Sequence, residues 1–323
     1  MNKQAQLLIR CAWLSIATAI FTIAFKASGY YLTASVSLLS DATESLVNLV
    51  AAVVALLALK TASKPADKNF TYGRGKAEYF SAAIEGALIF AAAAFILFSA
   101  VSRILHPQPL EELGLGLIIV LIATTINATV GIFLIHMGKT HRSPTLRADG
   151  AHLLTDVVTS IGVIIGIGLV WLTGEPVADS IVAIILGLNI LWTGYVLVRD
   201  ALAGLMDASL PEDYIRIVVE TLNSHARTDL RFHGLQTRVS GRESFCNFHM
   251  LVPGSMTVAD GHELAEDIAD ELAEKIPGLS VHIHIEPLED PRSYEDIPEG
   301  HIPLGGITDA IPDVVVRALT EKE

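Results

Sequence analysis

Apolar residues fill six stretches of this chain, at about 9–31, 34–60, 78–104, 113–137, 146–173 and 177–200. Each has room for the ~20 residues that cross a bilayer as a helix. Turn signals separate them: Gly29-Tyr30-Tyr31, Lys64-Pro65-Ala66-Asp67, His106-Pro107-Gln108-Pro109, Ser143-Pro144 and Gly174-Glu175-Pro176. The first run, from Cys11 to about Tyr31, is too long for the apolar part of a signal peptide and reads as a membrane helix. After Leu210-Pro211 the pattern changes. Residues 211–226 read as an amphipathic helix, and 232–240 and 244–252 as strands split by the hairpin signal Ser240-Gly241. Residues 257–276 read as a helix that Thr257 can cap and Pro277-Gly278 ends. Residues 279–286 alternate as a strand. The order αββαβ predicts a small open-faced α/β sandwich. The expected fold is therefore an α-helical domain of six transmembrane helices over 1–206 and a cytoplasmic αββαβ domain over 207–290. A tail of unassigned role follows at 291–323, with a short helix expected at 312–321.

Composition sharpens this division. The chain is 51% hydrophobic with a mean hydropathy of +0.50. Residues 207–323 carry 23 Asp/Glu against 9 Lys/Arg, a net of −14, whereas 1–206 carry 12 against 13. An acidic soluble part argues against nucleic acid and fits cations. Basic residues collect on one side of the six spans: Lys3, Arg10, Lys60, Lys64, Lys68, Arg74, Lys76, Lys139, Arg142, Arg147 and Arg199. The other side has Arg103 with Glu111, Glu112 and Glu175. The positive-inside rule then places both termini in the cytoplasm. Cys11 and Cys246 lie in different parts and make no disulfide framework.

Inside this apolar background a polar pattern repeats. The second stretch carries Asp41, Glu44 and Asn48; the fifth carries Asp149, His152 and Asp156. Positions i, i+3 and i+7 share one face of a helix. A charged group in hydrocarbon costs about 2.5–3.5 kcal/mol on insertion scales, so such stripes must face each other or a wet cavity. Carboxylates from Glu44 and Asp156, an amide oxygen from Asn48 and an imidazole from His152 can build a four-coordinate site for a divalent metal. His152 also titrates near physiological pH, so protons and metal compete for it. Asp41 and Asp149 read as caps or as groups supporting the ligands from behind. Isolated polar residues such as Asn48 or Thr155 can serve as hydrogen bonds between helices instead. Lys26 reads as a snorkelling side chain or a partner for one of these acids.

The soluble part is rich in histidine. His233, His249, His284 and Glu286 lie on the three expected strands, and His262 starts the second helix there. Such density points to metal binding, with solvated strand histidines as the plain alternative. His282 reads as a supporting group, while His225 and His301 carry no argument. Gly73-Arg74-Gly75-Lys76 lacks the spacing and the preceding strand of a phosphate loop. A basic cytoplasmic loop is the better reading, with Lys76 forming a structural salt bridge to Asp207.

Taken together these residues resemble the cation diffusion facilitator family, in particular its bacterial iron/zinc efflux branch. The resemblance covers about residues 8–290. It rests on Leu38-Leu39-Ser40-Asp41-Ala42 with Glu44 and Asn48, on Tyr72-Gly73-Arg74-Gly75-Lys76-Ala77-Glu78, on Arg147-Ala148-Asp149 with His152 and Asp156, and on His233-Gly234-Leu235-Gln236-Thr237-Arg238. It implies a homodimer in the lipid bilayer of the bacterial inner membrane that exports divalent metal in exchange for protons by alternating access. It implies that Glu44, Asn48, His152 and Asp156 form the transport site. It also implies that His233, His249, His284 and Glu286, with His262, help form a cytoplasmic metal site near the dimer interface. Two departures stand out. The family usually has His or Asp at position 44 and Asp at position 48, so Asn48 removes a negative charge and the oxygen-rich set makes harder ions more credible. In the loop before the third stretch the branch uses one Asp and two His; here Asp67 stands with Phe70 and Arg74, and no metal is expected there.

The expected function is a proton-coupled exporter of zinc, iron(II), manganese or a similar ion, a secondary transporter and not an enzyme. Divalent metal serves as its substrate and as a regulatory ligand that tightens the dimer. The rival reading is a membrane metal sensor or assembly partner that does not transport. A metallohydrolase lacks its His-Glu-x-x-His pair, and a carrier of organic cations leaves the soluble histidines unexplained.

Overall fold

The computed structural model describes residues 3–33, 36–105, 114–175, 177–295 and 297–305; the side chains at 29, 32, 33, 36–44, 114–116, 167 and 171 lie outside the description. The chain forms two compact units, Met1–Met206 and Asp207–Glu323.

The first unit consists of six helices: α1 (Lys3–Thr33), α2 (Val36–Ala62), α3 (Ala77–Leu105), α4 (Gly114–Thr140), α5 (Pro144–Thr173) and α6 (Val177–Leu205). All six are long and apolar enough to cross a membrane. Their boundaries follow local chemistry. Ser143 caps α5, its Oγ accepting from the Leu146 N–H, and Pro144 occupies the first turn, where its missing N–H is harmless. Gly174 ends the helix at φ 72°, a left-handed conformation, and its N–H donates to the Val170 carbonyl at 2.8 Å. One expected connection is corrected: α1 continues through Gly29-Tyr30-Tyr31 to Thr33, because an apolar helix absorbs a single glycine when nothing after it breaks the turn.

α3 packs most extensively on α6, α4 on α5, and α1 on α2. Small residues permit these approaches: a Cβ on Gly194 of α6 would stand 2.8 Å from the Phe90 backbone nitrogen of α3. With lipid as solvent, close van der Waals packing holds such helices together. Large apolar side chains point outward, among them Phe95, Phe98 and Trp192. Polar ones turn inward, including Ser15, Lys26, Ser45, Asn48, Glu78, Glu85, Asp149 and His152. That inversion of the water-soluble pattern is what a bilayer imposes.

The second unit runs α7 (Glu212–His225), β1 (Arg231–Ser240), β2 (Glu243–Val252), α8 (Val258–Lys275) and β3 (Leu279–Pro287), followed by a short 3-10 helix at Pro291–Tyr294. The sheet order is β1-β2-β3; β1 and β2 form an antiparallel hairpin turning at Gly241, and β3 lies parallel to β2. Thr257 caps α8. Val218 and Leu222 of α7 and Ile268 and Leu272 of α8 share a core with Phe232, Cys246, Phe248 and Met250. Val281 and Ile283 pack against the same core. Strand alternation therefore turns His249, His282, His284 and Glu286 to the face away from the helices. The helix expected at 312–321 lies outside the described residues.

Candidate metal centres

Two clusters gather the residues singled out above, one in each unit. In the membrane unit, α5 places His152 and Asp156 one turn apart on the face that meets α2. Asn48 of α2 bridges them. Its Oδ1 lies 2.6 Å from His152 Nε2, and its Nδ2 donates to Asp156 Oδ2. Asn48 and His152 are buried. Three of the four expected transport ligands thus converge. Glu44 and Asp41 belong to α2, but their side chains lie outside the described residues.

Asp149 is placed differently from Asp156. Its Oδ1 accepts from Ser15 Oγ of α1 at 3.0 Å, and its Oδ2 has no hydrogen-bond partner among the described residues. It is 2% exposed, and its polar contact reaches α1 instead of α2. Lys26 donates to Ser45 Oγ at 3.0 Å. A third stripe escaped the reading of the sequence. Glu78, Ser81 and Glu85 of α3 are buried at the same i, i+3, i+7 spacing. Ser143 Oγ donates to Glu78, and Ser81 Oγ donates to Glu85 at 3.0 Å. The spacing that marked α2 and α5 was there to be read in α3 as well.

The cytoplasmic centre is built by strand register. His233 of β1 stands opposite His249 of β2, which stands opposite His284 of β3. The register is irregular between His233 and Gln236, where Gly234 takes φ 66°; such a bulge re-aims a side chain beside a site. His233 Nε2 and His249 Nδ1 are each 3.1 Å from Glu286 Oε2 and 3.2 Å from one another. His284 Nδ1 lies 3.6 Å from Glu286 Oε1. An ion with tetrahedral bonds of about 2.1 Å separates its ligand atoms by about 3.4 Å. The observed triangle is within a few tenths of an ångström of that, so these donors fit a metal such as zinc. His262 stands apart on α8, exposed, 3.7 Å from Glu266. His282 is exposed.

The loop before α3 is organised around Asp67 and Arg74. Asp67 accepts from Arg74 at 2.6 Å and from the N–H groups of Asn69 and Phe70, and Arg74 lies over the Phe70 ring. The Arg74 hydrogen bond leads in holding the Asp67 carboxyl below its usual range. Lys76 donates to the Leu205 carbonyl at 3.1 Å, and Asp207 accepts from Arg238 at 3.3 Å.

Comparison with known proteins decides the family. The cation efflux transmembrane domain matches residues 12–206, and the cation efflux cytoplasmic domain matches 210–288. The chain belongs to the cation diffusion facilitator family. An uncharacterized transporter of Synechocystis is 46% identical over 284 residues, spanning 88% of this chain and 92% of its own. The cation-efflux pump FieF of Pectobacterium atrosepticum is 30% identical over 291 residues, spanning 89% and 96%. FieF of Citrobacter koseri is 28% identical over 288 residues. This facilitator is an integral membrane protein, and its six-helix unit and αββαβ unit coincide with the two matched domains.

Proposed function

We propose that this facilitator is a homodimeric, proton-coupled exporter of divalent metal in the bacterial inner membrane, with both termini in the cytoplasm. Metal enters from the cytoplasm, binds among Glu44, Asn48, His152 and Asp156, and leaves on the far side as protons replace it. The observation that carries this reading is the convergence of Asn48, His152 and Asp156 inside the helical bundle. With the amide placed as found, the contact to Asn48 Oδ1 needs a proton on His152 Nε2. A metal at Nε2 sends that proton to Nδ1, so a net exchange of metal for protons requires the doubly protonated ring, or a protonated carboxyl among the ligands, as the metal-free form. Spreading the 2.6 Å contact to the ~3.4 Å between tetrahedral ligands takes a shift of about 0.8 Å. The mixed oxygen and nitrogen donors suit zinc, iron(II) or manganese. Asp41 supports the ligands from behind, while Asp149 ties α5 to Ser15 of α1.

His233, His249, His284 and Glu286 bind the same kind of ion as a regulatory ligand, without His262, which α8 holds apart from them. Filling that site offsets the charge of an acidic domain and tightens the dimer; the matched cytoplasmic domain favours dimerisation. Sealed vesicles containing the purified protein and a metal-reporting dye test the transport reading. A pH gradient should drive zinc flux in the wild type and not in Asp156→Ala. Metal binding without flux under any gradient selects a non-transporting sensor instead.

A further inference from the structure

The chain beyond β3 crosses back over the cytoplasmic domain. Asp290 caps the 3-10 helix, accepting from the Arg292 N–H at 3.0 Å, and Ser293 Oγ donates to the Pro287 carbonyl at 2.9 Å. Further on, the Ile302 N–H donates to the Leu235 carbonyl at 2.7 Å, a one-residue bridge to the bulged part of β1. Leu304 is buried in the domain core, and Asn223 of α7 donates to its carbonyl at 2.9 Å. Pro298 lies over the bulge: a Cβ added at Gly234 would stand 3.5 Å from Pro298 Cδ and from the His249 ring. Residues 288–295 and 297–305 thus make a strap fixed at both ends.

Tyr294 stands between those anchors. Its ring meets the His233 imidazole edge-on, with centroids 5.6 Å apart and planes at 89°. Its hydroxyl donates to the Leu288 carbonyl at 3.1 Å, so the ring, and not the oxygen, faces the histidine. Burial pushes the Tyr294 hydroxyl up to about 12, which keeps it a neutral donor to that carbonyl. The centre consequently has a shut side and an open side. The side chains of His233 and Glu286 are 6% and 7% exposed, whereas that of His284 is 57% exposed.

The geometry points to Tyr294 as a specificity-determining residue of the cytoplasmic metal centre. This rests on reading His233, His249 and Glu286 as metal ligands. An aromatic wall supplies no ligand atom on the side of His233 that it covers. An ion satisfied by four donors needs one more beyond the three gathered here, and the open side can provide it. An ion that requires six must draw every missing ligand through the same opening. The strap therefore favours zinc over manganese by coordination number. Groups that hold a metal ligand in place typically change metal affinity by about 10–100-fold.

The test uses the full chain carrying His152→Ala and Asp156→Ala, so that the membrane centre does not contribute. Zinc and manganese affinities are measured by chelator competition. Tyr294→Ala is expected to weaken zinc binding about 10–100-fold and to shrink the ratio of zinc to manganese affinity, because manganese gains room for water. Tyr294→Phe keeps the ring and should keep the ratio. A purely structural role would lower both affinities together and leave the ratio unmoved, which overturns the proposal. If Tyr294→Ala unfolds the domain, Tyr294→Gln preserves bulk and puts an oxygen in the wall; an unchanged ratio there overturns it equally. A chain that still folds with Tyr294 intact but binds neither ion overturns the metal-centre reading itself, and the strap's role with it.

Discussion

His249 occupies the middle of the histidine row, so its removal tests the cytoplasmic centre most severely. His249→Ala takes away a group 3.2 Å from His233 Nε2 and 3.1 Å from Glu286 Oε2, leaving two of the three gathered donors. A ligand that binds only the folded state at a hundred times its Kd stabilises that state by about 2.7 kcal/mol. The unit Asp207–Glu323 has about 120 residues. At about 2.1 cal/mol/K per residue its unfolding entropy is about 0.25 kcal/mol/K, so the midpoint should rise by about 11 °C. The assay is thermal unfolding of the purified full chain, following the cytoplasmic unit, with zinc and with chelator. The wild type should show the rise and His249→Ala should show almost none. The readout is the metal-induced shift within each protein, so any loss of metal-free stability in the variant cancels. An equal rise in both proteins, or none in the wild type, refutes the reasoning.

Other consequences concern packing and charge. Gly150→Val puts a Cβ 2.8 Å from the Gly131 carbonyl oxygen and 2.9 Å from the Ile135 nitrogen, so α4 and α5 must part; a loss of about 1–3 kcal/mol is expected, read as a lower unfolding midpoint in detergent. Glu78→Ala leaves the buried Ser143 hydroxyl without its acceptor and should cost about 1–3 kcal/mol, with Glu78→Gln recovering most of it. The Glu271 carboxyl is held below its ordinary value of 4.5 by its hydrogen bond to Lys275 first and then to His225. A depressed carboxyl stabilises the fold above that ordinary value and loses the contribution as pH falls through its folded value. The pair is more than a third exposed, so Glu271→Gln should cost under about 1 kcal/mol at neutral pH and nothing in strong acid, measured by denaturant unfolding across pH.

Much of this arrangement is legible in the sequence because a membrane simplifies the code. Apolar runs of the required length give the six helices, and polar residues at i, i+3 and i+7 show which faces turn inward. That logic brought out Asn48, His152 and Asp156. Applied to Glu78, Ser81 and Glu85 it would have brought out α3 too. The neighbour that a polar face meets is less legible: periodicity cannot say that Asp149 reaches Ser15 of α1. In the cytoplasmic unit, alternation assigns His284 and Glu286 to one sheet face. The alignment of His233 with His249 depends on strand register and on the irregularity at Gly234, which only pairing reveals. The strap has no periodicity at all. Its hold on β1 and the core comes from single backbone bonds at Leu235, Ile302 and Leu304, contacts that leave no mark on composition.

X-ray absorption at the zinc edge tests the shared-ion claim most directly. The sample is the full chain with His233→Ala and His249→Ala, so that only the membrane centre binds. Zinc should show one imidazole among oxygen and nitrogen donors at about 2.0–2.2 Å, and His152→Ala should remove the imidazole signature. Absence of bound zinc, or an imidazole signature that survives His152→Ala, would contradict convergence of α2 and α5 on one ion.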